Sequence, residues 1–251
     1  MFVGIDHLVI AVTDPDAAAT ELETRLGLEP GGGGRHDRLG TFNRLVWLGD
    51  TYLELIGVFD AALAAISWVG APTLRALEAG EGLATWAIAT DDIDGDVAGL
   101  RARGSELAEP IPGERLRSDG RVVRWRLSAA SRLGPDRPAF LIEHDPTAAE
   151  WSAADRAERA AGPARVTHLE LPVEDVSRTI QAFTRAIGLR FRPSLAGGGA
   201  RDTDVGEQVV RLRPRRRGDG SPAVTVRIRH RDLGAAAFDA VGGRWVVEPT
   251  R

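Results

Sequence analysis

The chain has 251 residues and a formal net charge of −4, with 43% hydrophobic and 27% charged residues, a balance typical of soluble globular proteins with one large or two ordinary domains. It contains neither cysteine nor lysine, which excludes disulfides, thiolate ligands, cysteine nucleophiles and lysine Schiff bases. The acidic balance argues against nucleic-acid binding. No segment has the roughly 20 apolar residues of a membrane helix, and the start lacks a leader pattern, so we expect a cytoplasmic protein without membrane contact.

The chain repeats itself. IDHLVIAVTDPDAAATELETRLGL (5–28) aligns without a gap to VTHLELPVEDVSRTIQAFTRAIGL (166–189). Each copy predicts a strand, a turn with an acidic residue, and a helix that ends at glycine. His7 pairs with His168 in this alignment. The repeat therefore predicts two related units.

A weaker pair of segments, 85–104 and 225–243, again predicts strand, turn, helix and glycine. Strands are expected at 43–49 and 51–58, where a Gly-Asp pair predicts a hairpin, and at 122–130, 139–146, 207–214 and 244–249. The chain thus reads as four modules that begin near residues 5, 84, 165 and 223, the last of them truncated.

The boundary between the halves is expected in TAAEWSAADRAERAAGP (147–163). Its helical composition and terminal Gly-Pro indicate a connecting helix. The predicted organisation is a first module pair at 1–147, a connecting helix at 148–163, and a second, degenerate module pair at 164–251.

These features resemble the vicinal oxygen chelate superfamily, also called the glyoxalase/bleomycin-resistance/dioxygenase fold, and in particular its glyoxalase-like domain proteins. The stretches that carry the resemblance are IDHLVIAV (5–12), GGRHDRLGTFNRLV (33–46) and YLELI (52–56). The resemblance implies an α+β fold in which paired βαβββ modules form cupped mixed sheets with flanking helices. It implies a reaction less directly, because one fold hosts several activities.

In metal-dependent members of the superfamily, the first and last strand of each module offer ligands that face the cup. Carried over to this chain, the positions are His7, Glu54, Thr85 and Glu143. Three of the four can bind a metal, and an imidazole with two carboxylates suits Zn, Ni, Co, Mn or Fe(II). The resemblance therefore implies a divalent metal held by His7, Glu54 and Glu143, with the two glutamates as catalytic groups.

A different arrangement of these residues stays open. A glutamate between two leucines, as in TYLELIGV, is costly to bury unless it is paired or metal-bound. His7, Glu54 and Glu143 would then form a metal-free hydrogen-bonded cluster, in which a glutamate can still act as a general base. His168 is interpreted as a relic of duplication or an interface residue.

The segment GGGGRHDRLGTFN (31–43) is interpreted either as a plain loop or as a mobile flap over the cup. In the second case Arg35, His36, Thr41 and Asn43 bind substrate. Trp86 either lines the pocket or belongs to the core, and Trp47 and Trp125 are assigned to the core.

Two functions follow. The first is metal-dependent isomerase, epimerase or lyase chemistry on a small substrate with vicinal oxygens next to a carbonyl. The alternative is a metal-free protein that binds and sequesters a small hydrophobic or aromatic compound, as bleomycin-resistance members do. Because modules in this superfamily pair within or between chains, a homodimer is compatible with either function.

Overall fold

The computed structural model describes residues 2–117, 120–150, 162–217, 219 and 224–250. Within them no helix is long and apolar enough to cross a membrane. The predicted connecting helix falls largely on 151–161, outside the described residues. Residues 148–150 and 162–163, at its two ends, are not helical.

The first half forms an eight-stranded mixed sheet. Its elements in chain order are β1 (Phe2–Ala11), α1 (Pro15–Leu26), β2 (Pro30–His36), β3 (Thr41–Leu48), β4 (Thr51–Val58), α2 (Ala61–Ile66), α3 (Gly70–Glu78), β5 (Gly82–Thr90), α4 (Ile93–Arg101), β6 (Ile111–Leu116), β7 (Val122–Ser128) and β8 (Phe140–His144). The strand order is β2-β3-β4-β1-β5-β8-β7-β6. Two βαβββ modules therefore meet where β1 runs antiparallel to β5.

The second half repeats this plan with seven strands. Its elements are β9 (Ala164–Val173), α5 (Val176–Ile187), β10 (Arg192–Pro193), β11 (Arg201–Val205), β12 (Gln208–Pro214), β13 (Thr225–His230), β14 (Ala236–Ala240) and β15 (Gly243–Pro249). The order is β10-β11-β12-β9-β13-β15-β14, with β9 antiparallel to β13. The predicted fold of paired modules with a truncated last module is confirmed.

Matching local signals explain why the two copies fold alike. Asp14 caps α1 by accepting hydrogen bonds from two backbone N–H groups, and Asp175 caps α5 in the same way with one. Gly27 and Gly188 end these helices in the left-handed conformation that glycine adopts readily, at φ 62° and 72°. The aligned acidic and glycine residues of the repeat are therefore helix boundaries.

The fourth module differs from the sequence prediction. A helix was expected after β13, but Ala236–Ala240 is a strand that pairs with β15. Val241 and Gly242 both have positive φ, 45° and 62°, as the two central residues of a tight hairpin turn require. The turn and the pairing with β15 thus override the helix preference of the alanines.

The two sheets share one apolar core. It joins residues of β1, β4 and β5 to residues of β9, β12 and β13, with α1, α4 and α5 between the sheets. The side chain of Gln208 on β12 also crosses between the halves: its Oε1 accepts from the N–H of Ile5 at 2.6 Å and its Nε2 donates to Oγ1 of Thr51 at 2.5 Å. The second half is therefore packed against the strand that carries His7.

The other, concave face of the first sheet holds a second apolar cluster. Val9, Ala11 and Ile56 pack there with Ala84, Ala87 and residues of α3. Helix α3, which the sequence did not predict, thus covers one end of the concave face, and α2, also not predicted, packs against α3. The opposite end, at the start of β1 and β4, is left to polar side chains.

Candidate functional site

A buried carboxylate joins two histidines at the polar end of the concave face. His7 Nδ1 lies 2.5 Å from Asp6 Oδ1, and His144 Nε2 lies 3.0 Å from Asp6 Oδ2. A register shift in the pairing of β1 with β5 falls between Ile5 and His7, and such a bulge redirects side chains. Both Asp6 and His7 are almost fully buried.

The charge of this carboxylate is stabilised by its partners. Burial alone would raise the pKa of Asp6, but the charges and hydrogen bonds of His144 and His7 outweigh it and hold that pKa well below the ordinary 3.8. With Nδ1 donating to Asp6, the ring of His7 presents Nε2 on its other side. Asp6 therefore orients His7.

Glu54 is the group that His7 Nε2 faces. Its Oε2 lies 3.6 Å from Nε2, and its side chain is 13% exposed. Its other oxygen, Oε1, accepts a hydrogen bond of 2.6 Å from Asn43 Nδ2. Leu53 and Leu55 therefore enter the core, whereas Glu54 turns to the concave face with His7.

A short polar chain continues from Asn43. Its Nδ2 lies 3.5 Å from His36 Nε2, and His36 Nδ1 lies 3.0 Å from Thr41 Oγ1. Asn43 Oδ1 also accepts from the N–H of Gly34 at 2.9 Å. Burial lowers the pKa of His36, although the charge of Glu54 opposes the shift. His36 is therefore a neutral neighbour of Glu54 at ordinary pH.

Aromatic rings enclose His7. The Tyr52 ring stacks on it at 4.6 Å between centroids, and Phe140 meets it edge-on at 5.4 Å. Trp47 packs against Tyr52 in turn. Burial raises the pKa of Tyr52 well above its ordinary 10, and the charges of Asp6 and Glu54 add to the shift. The phenol therefore stays protonated beside the carboxylates.

The end strands of the sheet approach each other and close this part of the cup. Arg115 on β6 donates from Nη1 to the carbonyl of Gly33 on β2 at 2.7 Å, and it forms a buried ion pair with Glu150. A side chain at Gly32 would meet Glu150 Oε1 at 2.8 Å. The glycines of β2 thus make room for this contact.

The predicted three-ligand metal centre is not assembled. His7 and Glu54 lie together, but Glu143 on β8 pairs with Arg126, and its neighbour Leu141 on the same face belongs to the core between the sheets. Because side chains alternate along a strand, Glu143 points away from the concave face and His144 points into it. Within the described ranges, no three His, Asp or Glu side chains are placed to hold an ion.

The donor set present does not fit the predicted centre. His7 Nε2 and Glu54 Oε2 would supply two ligands, whereas catalytic zinc is held by three protein ligands. The fourth sequence position, Thr85, is fully buried, and its hydroxyl has no hydrogen-bond partner within the described part of the chain. Thr85 pairs with Val9, and a neutral threonine hydroxyl is not one of the usual protein ligands of zinc, so it does not complete the set.

The predicted substrate-binding residues divide into two groups. His36, Thr41 and Asn43 belong to the polar cluster beside Glu54. Arg35 points to the other side of β2, where its guanidinium lies 3.7 Å from the centroid of the exposed Phe59 ring. Trp86 is buried between the sheets against Phe183, so of its two interpretations the structure supports the core.

The predicted flap is an edge strand. Residues 30–36 pair with β3 over most of their length. Gly33 has φ 134°, and a Cβ there would lie 2.4 Å from the carbonyl oxygen of Asn43. The glycines therefore allow the backbone of this strand to pack closely against β3.

Sequence reasoning missed several members of this site. Asp6 and His144 were visible in the stretches IDHL and LIEHD, but only the neighbouring His7 and Glu143 were selected. The available signal for Asp6 was its position next to a histidine in an otherwise apolar strand. Arg115 and Glu150 had no local signal, because their partners lie far away in sequence.

The second sheet has different chemistry at the matching positions. His168 occupies the position of His7. Arg211 on β12 pairs with Glu170 on β9, just as Glu54 on β4 pairs with Val9 on β1, so Arg211 occupies the position of Glu54. Arg211 binds Asp202 through two hydrogen bonds, of 2.8 and 3.0 Å. An arginine thus stands where the first sheet has its carboxylate.

A cleft of about 730 Å³ opens beside His144. Its lining comes from β6, β7 and the end of β8: Pro112, Gly113, Glu114, Arg124, Trp125, Arg126, Glu143, His144, Asp145 and Pro146. Trp125, assigned to the core from the sequence, lies half-buried in this lining. His144 therefore connects the cleft to Asp6 and His7.

The paired modules and the polar cluster in the first cup define a protein of the vicinal oxygen chelate fold. A family model described as "Glyoxalase-like domain" matches residues 5–187. The chain belongs to this family.

One solved structure shows the same fold over nearly the whole chain. A hypothetical protein from Staphylococcus aureus aligns with a TM-score of 0.79 and 17% identity, over 98% of this chain and 99% of that one. A variant of the Streptomyces coelicolor methylmalonyl-CoA epimerase, in complex with 2-nitronate-propionyl-CoA, aligns with a TM-score of 0.44 and 23% identity, over 57% and 98%. The Mycobacterium tuberculosis methylmalonyl-CoA epimerase gives 0.41 and 22%, over 57% and 87%. No curated protein matches the sequence.

Proposed function

We propose that the protein is an enzyme that moves a proton at a carbon next to a carbonyl group of a small oxygenated substrate. The observation that carries this proposal is the pair of His7 and Glu54, 3.6 Å apart and largely buried, with Asp6 behind the imidazole. Isomerisation, epimerisation and lyase reactions all begin with such a proton transfer.

Glu54 is the general base. Asn43 holds its Oε1, so Oε2 faces the cup and is free to accept a proton from carbon. The electron pair of the broken C–H bond moves onto the carbonyl oxygen, which becomes an enolate. Protonated Glu54 then returns the proton to the same carbon or to its neighbour.

His7 stabilises the enolate. In its protonated form it donates from Nδ1 to Asp6, and its Nε2–H points into the volume that Glu54 Oε2 faces. A donor fixed in a water-poor site stabilises developing charge more than it would in bulk water. The enclosing rings of Tyr52 and Phe140 provide such a site.

Exchange of substrate hydrogen with solvent tests this chemistry. The protein is incubated in D₂O with hydroxyacetone and related hydroxycarbonyl compounds, and deuterium incorporation is followed by NMR. We expect exchange above the buffer rate, and a loss of about 100-fold or more in Glu54→Gln. Glu143→Gln is the matched control, since this carboxylate lies on the other face of the sheet, and it should keep the activity.

The metal-dependent version is tested in the same assay. Chelator-treated protein is compared with protein loaded with Zn, Ni, Co, Mn or Fe(II), and each sample is analysed for bound metal. Exchange that needs metal and is lost in His7→Ala would support a metal bound by His7 and Glu54. If neither form exchanges hydrogen with any compound, the proposed enzyme activity is refuted.

Sequestration of a small aromatic compound is a second candidate. The rings of Trp47 and Tyr52, with Phe140 and Trp68 near them, line the concave face. Tight binding without turnover, unaffected by Glu54→Gln and by chelator, would favour this function.

A further inference from the structure

We propose that Gln208, on β12 of the second half, is a positioning residue for the site in the first half. With Thr51 it fixes the β-bulge that brings the carboxylate of Asp6 to the imidazole of His7. This inference rests on the proposed function, because it assigns a role in the same site to a side chain from the other half of the chain.

The first argument is the bulge in β1. The partners of Ile5 and His7 on β5 are consecutive residues, 88 and 87, so Asp6 is the extra residue of the bulge. Ile5 and Leu8 both enter the core between the sheets, although residues three apart in a regular strand point to opposite faces. Without the bulge Asp6, two residues from Leu8, would point into that core. The bulge therefore turns Asp6 toward His7.

The second copy of the repeat carries the same bulge. The partners of Val166 and His168 on β13 are the consecutive residues 228 and 227, so Thr167 is the extra residue there. His168 Nδ1 lies 3.1 Å from Thr167 Oγ1, as His7 Nδ1 lies 2.5 Å from Asp6 Oδ1. The bulge thus belongs to the repeated strand, and the first copy places a carboxylate on it.

The second argument is the pair of side chains that holds the first bulge. The pairing of β4 with β1 begins at Tyr52 and His7, so this ladder stops short of Ile5. The buried N–H and C=O of Ile5 need other partners. Gln208 Oε1 accepts from this N–H at 2.6 Å, and Thr51 Oγ1 donates to this C=O at 2.9 Å. The two side chains thus take the place of a strand neighbour beside the bulge.

The third argument is that these two side chains also hold each other. Gln208 Nε2 donates to Thr51 Oγ1 at 2.5 Å, and both residues are almost fully buried. They occupy equivalent positions, since each precedes the residue that pairs with the histidine of its own copy. A Cβ at Gly4 would lie 3.0 Å from Gln208 Oε1, so glycine leaves room for the amide. A junction between both copies therefore holds the backbone next to Asp6.

The hydrogen bond from His7 to Asp6 gives a signal that does not depend on activity. The proton on an imidazole Nδ1 that donates to a carboxylate resonates far downfield in the NMR spectrum, and it is assigned here from its absence in His7→Gln. Gln208→Leu keeps a side chain of similar size but loses both hydrogen bonds. We expect the Nδ1 signal to move upfield or to disappear in this variant. The exchange of hydroxycarbonyl compounds should fall about tenfold or more, because small displacements of reacting groups cost that much.

Val210→Ala is the matched control. Val210 lies on the same strand as Gln208 and is buried in the core between the sheets, so its truncation also lowers the Tm. The Nδ1 signal and the exchange rate should nevertheless stay as in the unmodified protein. Equal changes of the signal in both variants would show a general loosening of the core and would overturn the positioning role.

If Gln208→Leu fails to fold, Thr51 decides. Thr51→Ser keeps the hydroxyl and should keep the Nδ1 signal, whereas Thr51→Val should shift or lose it. A signal that stays unchanged in Gln208→Leu or in Thr51→Val overturns the proposal, as does exchange that continues at the original rate after the signal is lost. If no compound exchanges hydrogen with any sample, the proposed function fails, while the signal still decides the role of Gln208.

Discussion

Replacement of Gly33 by alanine tests whether residues 30–36 are an edge strand or a flexible flap. Gly33 has φ 134°, in a region that side chains rarely adopt, and the new Cβ would lie 2.4 Å from the carbonyl oxygen of Asn43. Such backbone strain costs about 1–3 kcal/mol. The lower entropy of the unfolded chain offsets only about 0.4–1 kcal/mol. The overlap with the carbonyl adds to the cost, so we expect a net loss of about 2 kcal/mol.

Gly34→Ala is the matched control. Its Cβ would lie 3.4 Å from Arg115 Nη1, 3.5 Å from Arg115 Cδ and 3.9 Å from the carbonyl oxygen of Leu116. These are ordinary contacts, and we expect a change within about 0.5 kcal/mol. Thermal unfolding followed by circular dichroism measures both variants. For a chain of this size, 2 kcal/mol corresponds to a Tm lower by roughly 4–8 °C. Equal stability of the two variants would show that the segment moves freely and would refute the edge-strand argument.

Three further predictions concern buried polar groups. Glu150→Gln leaves the buried guanidinium of Arg115 without its counter-charge and should cost about 3 kcal/mol in urea denaturation; a loss below about 0.5 kcal/mol would contradict this. Asp6→Asn should lower the free energy of unfolding above roughly pH 5. The difference from the parent protein should shrink as the pH falls below 3.8, because the lowered pKa of Asp6 stabilises the fold only while the carboxylate is charged. A difference in stability that does not change with pH would contradict this. Thr85→Val removes a buried hydroxyl that has no hydrogen-bond partner within the described residues. The substitution should raise the free energy of unfolding by about 1 kcal/mol. A loss of stability would instead indicate that the hydroxyl binds a water molecule or a ligand.

The phase of strand alternation decided which site residues could be predicted. In TYLELIGV, Leu53 and Leu55 flank Glu54, so the face of the glutamate follows from the sequence. In AFLIEHDP, four consecutive apolar residues precede Glu143, so apolar side chains would be buried whichever face of the strand turned to the core. The tertiary structure places Leu141 between the sheets, and this placement turns His144, rather than Glu143, toward the cup.

The remaining differences have a common physical origin. The glycines of β2 and the alanines of β14 have little intrinsic preference for strands, and both segments become strands because a neighbouring strand pairs with them. The contact of Arg115 with Glu150 likewise depends on how the sheet curves. A local pattern does not contain such long-range information, whereas the repeat, the helix boundaries and the alternating strands were local and were predicted.

Gln208 suggests why a duplicated copy without the matching carboxylate has been retained. Its amide holds the backbone of Ile5, one residue before Asp6, and the hydroxyl of Thr51, one residue before Tyr52. In the proposed function the first copy supplies the reactive groups, and the second copy fixes the strands that carry them. Substitutions far from the cup, on β12, would therefore alter the geometry of the proposed site without changing any of its own side chains.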